Sequence, residues 1–273
     1  FGGDLMEILS IDNLMVRYKK KFVYDKFNLK VEKGSWITIA GPNGAGKTTL
    51  IKVLSGIIKT HADIKIFGKK YNKLNSLEIR KEIGFVFENP ENYFVAETVE
   101  DELAFSLENI AVRKSMIKKK LEEISTLLNI KSLLKCSPLN LSGGEKQKVA
   151  LASALMLEPR ILILDELLSM LDSNEQVEML EILKKINKEK RITIISLTNN
   201  LDETLYSDRL IILNDGKIII DGSFPEIFEE ERIMRKIGLE VPFMIELNRK
   251  LKLYKPNNNF NLDMRSLVVN LWK

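Results

Sequence analysis

Apolar residues recur at roughly every second position over residues 8–18 and again over 23–31, the period of a strand with one buried face. A third apolar run, Trp36-Ile37-Thr38-Ile39-Ala40, follows the Lys33-Gly34 stop and leads straight into Gly41-Pro42-Asn43-Gly44-Ala45-Gly46-Lys47-Thr48-Thr49. Leu50, Ile51, Val53 and Leu54 then take helical spacing up to Gly56, so the segment reads strand, glycine loop, helix. Further strands are predicted over 64–67 and 84–87, and amphipathic helices over 98–110 and 115–130. A helix over 146–157 follows. Strand-like runs resume at 161–164, 192–196 and 210–213, with a helix over 174–187 between the first two. Short buried strands alternating with helices predict a parallel α/β sheet, interrupted by a helical subdomain over approximately 88–158. After Asp221-Gly222 the pattern turns helical, punctuated by Pro225, Pro242 and Pro256. Met264, Leu267, Val268 and Leu271 fall on one face of that tail, and Asn257-Asn258-Asn259 is too short for a low-complexity segment.

Composition narrows the class. With 45% hydrophobic residues, 42 Lys plus Arg and 38 Asp plus Glu in 273 residues, the chain can bury a core without staples, and disorder is excluded as its main state. A net charge of +4 is too small to argue for nucleic acid. The lone cysteine, Cys136, closes no internal disulfide and fits a reducing compartment. Apolar runs such as 161–164 and 210–213 fall far short of the ~20 residues of a membrane span. The five residues ahead of Met6, with their Gly2-Gly3 pair, read as a tag remnant, and no signal peptide follows them. The expected location is the cytoplasm.

Residues 41–48 fit G-x-x-x-x-G-K-[ST], in which glycines let backbone N–H groups turn inward around phosphates while Lys47 reaches the terminal ones and Thr48 offers its hydroxyl to Mg²⁺. The strand before and the helix after are the context that separates this pattern from a structural glycine turn. Four aliphatic residues precede Asp165 and Glu166, so a buried strand delivers two carboxylates to the edge where open α/β sheets bind ligands. An isolated acidic pair after a strand is usually a cap or a solvated turn; the phosphate loop upstream reverses that judgement. Asp165 suits a Mg²⁺ shell, and Glu166 suits the polarising of an attacking water.

Leu141-Ser142-Gly143-Gly144-Glu145 begins its serine 95 positions after Lys47 and introduces a helix whose amino end presents N–H groups to an anion. Phosphate loop, LSGGE, ILILDE and the following Ser169-Met170-Leu171-Asp172 occur in the order of the nucleotide-binding subunits of ATP-binding-cassette (ABC) transporters, which the chain resembles over residues 7–222. The resemblance implies a P-loop NTPase core of ABC type, a RecA-like parallel sheet plus an antiparallel β subdomain, spanning 6–222. It further implies a C-terminal helical dimerisation appendage over 223–273, and ATP and Mg²⁺ as substrate and cofactor. It implies a head-to-tail dimer in which ATP lies between the loop 41–49 of one subunit and Ser142, Gly143, Gly144 and Glu145 of the other. Tyr18 matches the aromatic that stacks on adenine, against the alternative of a plain strand-edge tyrosine. Asp172 matches an aspartate that links the two sites.

A narrower resemblance is to the ATPases of energy-coupling factor (ECF) importers of vitamins and metal ions. It is carried by 84–92, Gly-Phe-Val-Phe-Glu-Asn-Pro-Glu-Asn, by Thr98 to Phe105, and by Gly238-Leu239-Glu240-Val241-Pro242-Phe243. It implies a second ATPase subunit, an integral membrane coupling subunit, a substrate-binding membrane subunit, and a place on the cytoplasmic face of the cell membrane. Glu88, Glu91, Glu97, Glu100, Asp101 and Glu102 form an acidic run that would guide a docking helix carrying arginine, or else a solvated face.

Two positions depart from the family pattern. Asn199, in Ser196-Leu197-Thr198-Asn199-Asn200-Leu201-Asp202-Glu203, stands where the family places a histidine that contacts the γ-phosphate; an amide donates a hydrogen bond but carries no charge. Glu88 replaces a glutamine that senses Mg²⁺ and the attacking water, so its carboxylate either binds the metal or repels the triphosphate. Leu167-Leu168 replaces a proline-threonine pair. The expectation is a slow site on this chain's own phosphate loop, with the intact LSGGE completing a faster site on a different partner, a heterodimer; a homodimer is the alternative. A soluble ABC-type ATPase and a catalytically weak regulatory subunit are the competing classes. A GTPase is disfavoured, because Asn187-Lys188-Glu189-Lys190 lacks a guanine-reading aspartate. His61, with no second ligand nearby in sequence, predicts no metal role.

Overall fold

The computed structural model describes residues 6–19, 21–223, 227, 231–254 and 267–268. In chain order its elements are β1 (Glu7–Tyr18), β2 (Lys21–Glu32), β3 (Trp36–Ala40), α1 (Lys47–Leu54), β4 (Asp63–Ile66), β5 (Lys69–Lys70), α2 (Ser76–Lys81), β6 (Ile83–Val86), α3 (Val99–Glu108), α4 (Lys114–Leu127), α5 (Gly143–Met156), β7 (Ile161–Asp165), α6 (Ser173–Lys190), β8 (Thr193–Thr198), β9 (Arg209–Asn214), β10 (Lys217–Gly222), α7 (Glu231–Lys236) and α8 (Phe243–Tyr254).

An antiparallel sheet has the order β2-β1-β4-β5, and a larger one the order β10-β9-β3-β8-β7-β6. In the larger sheet β3 runs parallel to β8 and β9, and β7 parallel to β6 and β8, while β10 joins the edge antiparallel. The difference follows from burial. Every residue of β3, β7 and β8 is buried, so these strands read as unbroken apolar runs; in β1 buried Leu9, Ile11, Leu14 and Val16 are interleaved with more exposed residues beyond Ile11. Pairing of Ala40 with Thr198, and of Asp165 with Leu197, brings the ends of β3, β8 and β7 side by side at one carboxyl edge. The phosphate loop, the acidic pair and the segment after Thr198 all start there.

Helices α3, α4 and α5 pack through Leu103, Leu107, Ile117, Leu121, Ile124 and Val149, the predicted helical interruption. Two short or edge elements escaped the pattern. The six residues of α2 carry a single buried side chain, Ile79, and β10 is a half-exposed edge strand with no clean alternation in Ile218-Ile219-Ile220. Boundaries moved too: α1 begins at Lys47, ahead of its first apolar residue, and α5 begins at Gly143, three residues before the predicted start, because Ser142 caps it. At the C-terminal end Met234, Leu239, Val241 and Ile245 pack on Leu201, Leu210 and Ile212 of the same chain. Leu267 is likewise buried within its own chain, whereas Val268 is exposed. Residues 1–5, Pro225, Pro256, Asn257 to Asn259, Met264 and Leu271 lie outside the described residues.

Candidate active site

The loop after β3 closes on itself through glycine. Gly46 sits at φ +118, a backbone state closed to most side chains, and a Cβ there would lie 2.9 Å from Tyr24 Oη. Tyr24, fully buried on β2, donates its hydroxyl to the Gly46 carbonyl at 3.0 Å and so braces the turn from behind. Burial pushes its phenol pKa up, which keeps the donor protonated. Helix α1 has no acidic residue in its first turn, so its amino-terminal N–H groups face the loop without a competing carboxylate.

Lys47 is buried. Its Nζ donates to the carbonyl oxygens of Gly41 at 2.5 Å and Pro42 at 3.4 Å and lies 3.5 Å from Glu166 Oε1. Glu166, at φ +49, holds a left-handed backbone state that is costly for a residue with a Cβ, and such states are kept where surrounding bonds over-determine them. Those bonds are visible: the Asn199 amide donates to Glu166 Oε2 at 3.2 Å, the Glu166 amide donates to the Leu197 carbonyl at 2.8 Å, and Thr198 Oγ1 lies 3.3 Å from Oε2. Pro42, Asn43, Gly44, Ala45, Gly46, Lys47, Thr48, Thr49, Glu88, Glu166 and Asn199 line one cavity of about 360 Å³, joined by Val23 and Ser169.

Asp165 lies behind this cavity, 3% exposed. Burial, then the carboxylates of Glu166 and Glu88, push its carboxyl up to about 6 against the opposing pull of Lys47. A group so placed gains by taking a cation. The oxygen donors Thr48, Asp165 and Glu88 are the hard, few-ligand set that Mg²⁺ accepts when phosphates and water complete its shell. Among the described residues no cluster of three His, Cys, Asp or Glu has metal-ligating geometry. His61 is exposed, as is Cys136.

The signature segment lies elsewhere. Ser142 Oγ accepts from the Glu145 amide at 3.3 Å and Glu145 Oε2 accepts from the Ser142 amide at 2.8 Å, a capping box that opens α5. Glu145 therefore acts first on its own helix. Gly144 meets the first turn of α6 so closely that a Cβ would lie 2.9 Å from Glu175 Oε2. Asp172 caps α6, accepting from the amides of Asn174 and Glu175 at 2.9 Å each. None of Ser142 to Glu145 lines the phosphate-loop cavity of its own chain.

Tyr18 stands half-exposed at the end of β1 and does not line that cavity, although Val23 across the hairpin does. Leu167 and Leu168, both 2% exposed, fill the core beside Leu171. The acidic run is partly engaged within the chain, while Glu91, Glu97 and Asp101 stay exposed. Glu102 is buried and accepts from the amides of Val95 and Ala96, Glu91 pairs with Lys146 and Glu100 with Lys135, and Asp101 accepts from Thr98. Sequence reasoning also passed over Tyr24, Thr198 and Glu203. Tyr24 is one apolar-face residue among many, and the segment containing the other two was read for Asn199 alone.

Glu203 is 4% exposed, and burial pushes its carboxyl up to about 8 from the usual 4.5. An acid whose pKa is higher in the folded chain than in the unfolded one binds its proton more tightly when folded, so stability falls as pH rises from about 4.5 through about 8. Glu203→Gln is expected to flatten that fall, by a few kcal/mol across the window, as read from denaturation midpoints of both forms at each pH.

A phosphate loop after one parallel strand, a glutamate after another and an LSGGE helix cap define an ABC-type ATPase, and the chain hydrolyses ATP. It belongs to the ABC transporter family, whose match covers residues 24–169. Within that family it is 38% identical to the energy-coupling factor transporter ATP-binding protein EcfA1 of Leuconostoc mesenteroides, over 97% of each chain. It is 39% identical to the protein of the same name from Mesomycoplasma hyopneumoniae, over 93% of this chain and 92% of that one. Among solved structures it is similar to cbiO1 of Clostridium perfringens, described as part of the ABC transporter complex cbiONQ, with TM-score 0.76 and 30% identity over 89% of this chain and 99% of that one. It is also similar to the ATP-binding cassette MJ0796, a dimer in a post-hydrolysis state bound to ADP and Pi, with TM-score 0.73 and 26% identity over 79% of this chain and 98% of that one.

Proposed function

We propose that this chain powers an ECF-type importer of a vitamin or metal ion, on the cytoplasmic face of the membrane, as one half of an ATPase heterodimer. The observation that carries the dimer is the separation of its two nucleotide-binding parts. Ser142, Gly143 and Gly144 stand outside the cavity that holds Lys47, so each half needs a second polypeptide.

In this reading the amides of residues 43–48 and Lys47 receive the phosphates. Lys47 leaves Glu166 to do so, and Glu166 Oε1 becomes free to orient the attacking water while Oε2 stays held by Asn199. Thr48, Asp165 and Glu88 would hold Mg²⁺, which would supply charge neutralisation at the outer phosphates. The partner's signature segment would close over the γ-phosphate, and its own counterpart is Ser142 with the amino end of α5. ATP-driven closure, followed by opening after phosphate release, moves the docked membrane subunits.

A groove of about 330 Å³ lined by Phe85, Phe87, Pro90, Tyr93 and Phe105 supports docking of such a subunit. Exposed Glu97, two residues along the chain from Val95 of its lining, is suited to an arginine on the incoming helix. No described helix is long and apolar enough to cross a membrane, so the pathway is assigned to partners. Purification from native membranes tests the proposal: a second ATPase and at least one integral membrane protein are expected to copurify and to raise ATP turnover about 10-fold or more over the chain alone. Recovery of the chain free of any membrane protein, with full activity, would overturn it in favour of a soluble ATPase.

A further inference from the structure

Thr198 closes β8 with its side chain fully buried between two carboxyl groups. Its Oγ1 lies 2.9 Å from Glu203 Oε1 and 3.3 Å from Glu166 Oε2, and it accepts from the Asn200 amide at 3.0 Å. A hydroxyl has one hydrogen and two lone pairs. The Asn200 amide takes one lone pair, so two positions remain, one hydrogen and one lone pair, for two carboxyl groups. Were both groups ionised, the hydrogen could satisfy only one; left to face an oxygen lone pair, the buried Glu203 would have no water in its place. If Glu203 carries a proton, it donates to Thr198, Thr198 donates to Glu166, and every valence closes.

We infer that Glu203 is a positioning residue for ATP hydrolysis: held as the neutral acid, it occupies the free lone pair of Thr198 and turns the threonine hydroxyl onto Glu166, fixing one oxygen of the water-orienting carboxylate. The inference rests on the reading of Glu166 as that group. Its surroundings keep Glu203 neutral. The charged groups facing it are the carboxylates of Glu166, from the end of β7, and Asp202, from its own turn. On α6, packed against that turn, Lys184 lies over the Tyr206 ring, 5.6 Å from its centre, and Glu203 forms no salt bridge among the described residues. Burial thus acts without a compensating cation and pushes the carboxyl up to about 8.

The arrangement divides labour between the oxygens of Glu166. Oε2 is tied to Thr198 and the Asn199 amide, neither of which needs to move when nucleotide enters, whereas Oε1 faces Lys47 and is released when that lysine turns to phosphate. Above the pKa of Glu203 the threonine hydrogen swings to the new carboxylate, Glu166 loses a tether, and turnover falls on the alkaline side.

The test is single-turnover hydrolysis by the complex copurified with its natural partners, from about pH 6.5 to about pH 9.5, with ATP affinity and melting temperature measured in parallel. Glu203→Gln, whose amide still donates to Thr198, is expected to hold turnover within about threefold at pH 7 and to lose the alkaline fall. Thr198→Val is expected to lower turnover about 10-fold with ATP affinity within about twofold, and Thr198→Ser to restore it. An alkaline fall that survives in Glu203→Gln, or full turnover in Thr198→Val, would overturn the inference. Glu166→Gln run alongside separates the two levels: if it hydrolyses at the parental rate, the reading of Glu166 fails, and if it is inactive while Thr198→Val is fully active, only the inference fails.

Discussion

Glu166→Gln is expected to bind ATP at least as tightly as the parent and to hydrolyse it at this chain's site about 10² to 10⁴ times more slowly. The rate change follows from what the side chain does. A positioned carboxylate that accepts hydrogen bonding from water in the transition state is worth that range, and an amide of the same shape accepts more weakly and carries no charge. The affinity change follows from the ligand-free geometry. Lys47, 3.5 Å from Glu166 Oε1, must give up that partner before it can meet the β- and γ-phosphates, and a carboxylate there also repels the triphosphate. Neutralising it removes both costs. The swap also keeps the Asn199 amide bond if the glutamine oxygen takes the place of Oε2, so the left-handed turn at position 166 should survive. Filter-bound nucleotide gives the affinity and rapid-quench single turnover gives the rate. A variant that hydrolyses at the parental rate would remove Glu166 from the mechanism, and one that no longer binds ATP would show that its role is in nucleotide capture.

Much of this site can be read from residue order, because backbone chemistry dictates it. Phosphate needs inward N–H groups, which needs glycines such as Gly46 in a state closed to other residues, and the pattern around Lys47 states that requirement openly. A carboxylate at the sheet edge needs a buried strand behind it, and ILIL before Asp165 announces one. What the residue order hides is whatever depends on contacts between distant segments. Tyr24 supports a glycine 22 positions away, and the Gln147 side chain, fully buried on α5, donates to the Glu88 carbonyl 59 positions away. Nothing in their local sequence distinguishes them from neighbours that only fill space. The acidic run is read incompletely in the opposite sense. Six carboxylates close in sequence suggest a docking patch or a solvated face, and the contacts of four of them, with a helix amino end, a loop turn and two distant lysines, are not visible in that run. Charge counted along a chain becomes a field only after partners are subtracted. Edge elements are the remaining gap: α2 and β10 bury too little on either side for any period to emerge.

The sharpest consequence of the departures concerns Asn199, and here the expected change is a gain. Its backbone is fixed by the bond from its amide to Glu166, and its side chain lines the cavity that holds Lys47 and Thr48, so the position is right for a group that meets the γ-phosphate. The chemistry is weaker than the position allows. An amide presents a neutral donor to phosphoryl oxygens on which negative charge is concentrated, whereas imidazole reaches farther and carries a full charge once protonated, which a neighbouring phosphate favours. One well-aimed donor at a developing charge is commonly worth about 10² to 10³ in rate. Because asparagine already supplies part of that, Asn199→His is expected to raise single-turnover hydrolysis at this chain's phosphate loop by about 10², the lower end of that range. The measurement uses the assembled complex with the partner's own catalytic glutamate replaced by glutamine, so that only one site turns over. The gain should lie in the rate constant and leave ATP affinity within a few-fold, since the donor acts on charge that grows in the transition state. If the histidine form is no faster, or if the two parental sites already run at equal rates, the slow-site assignment fails and the asparagine is an equivalent solution to the same contact.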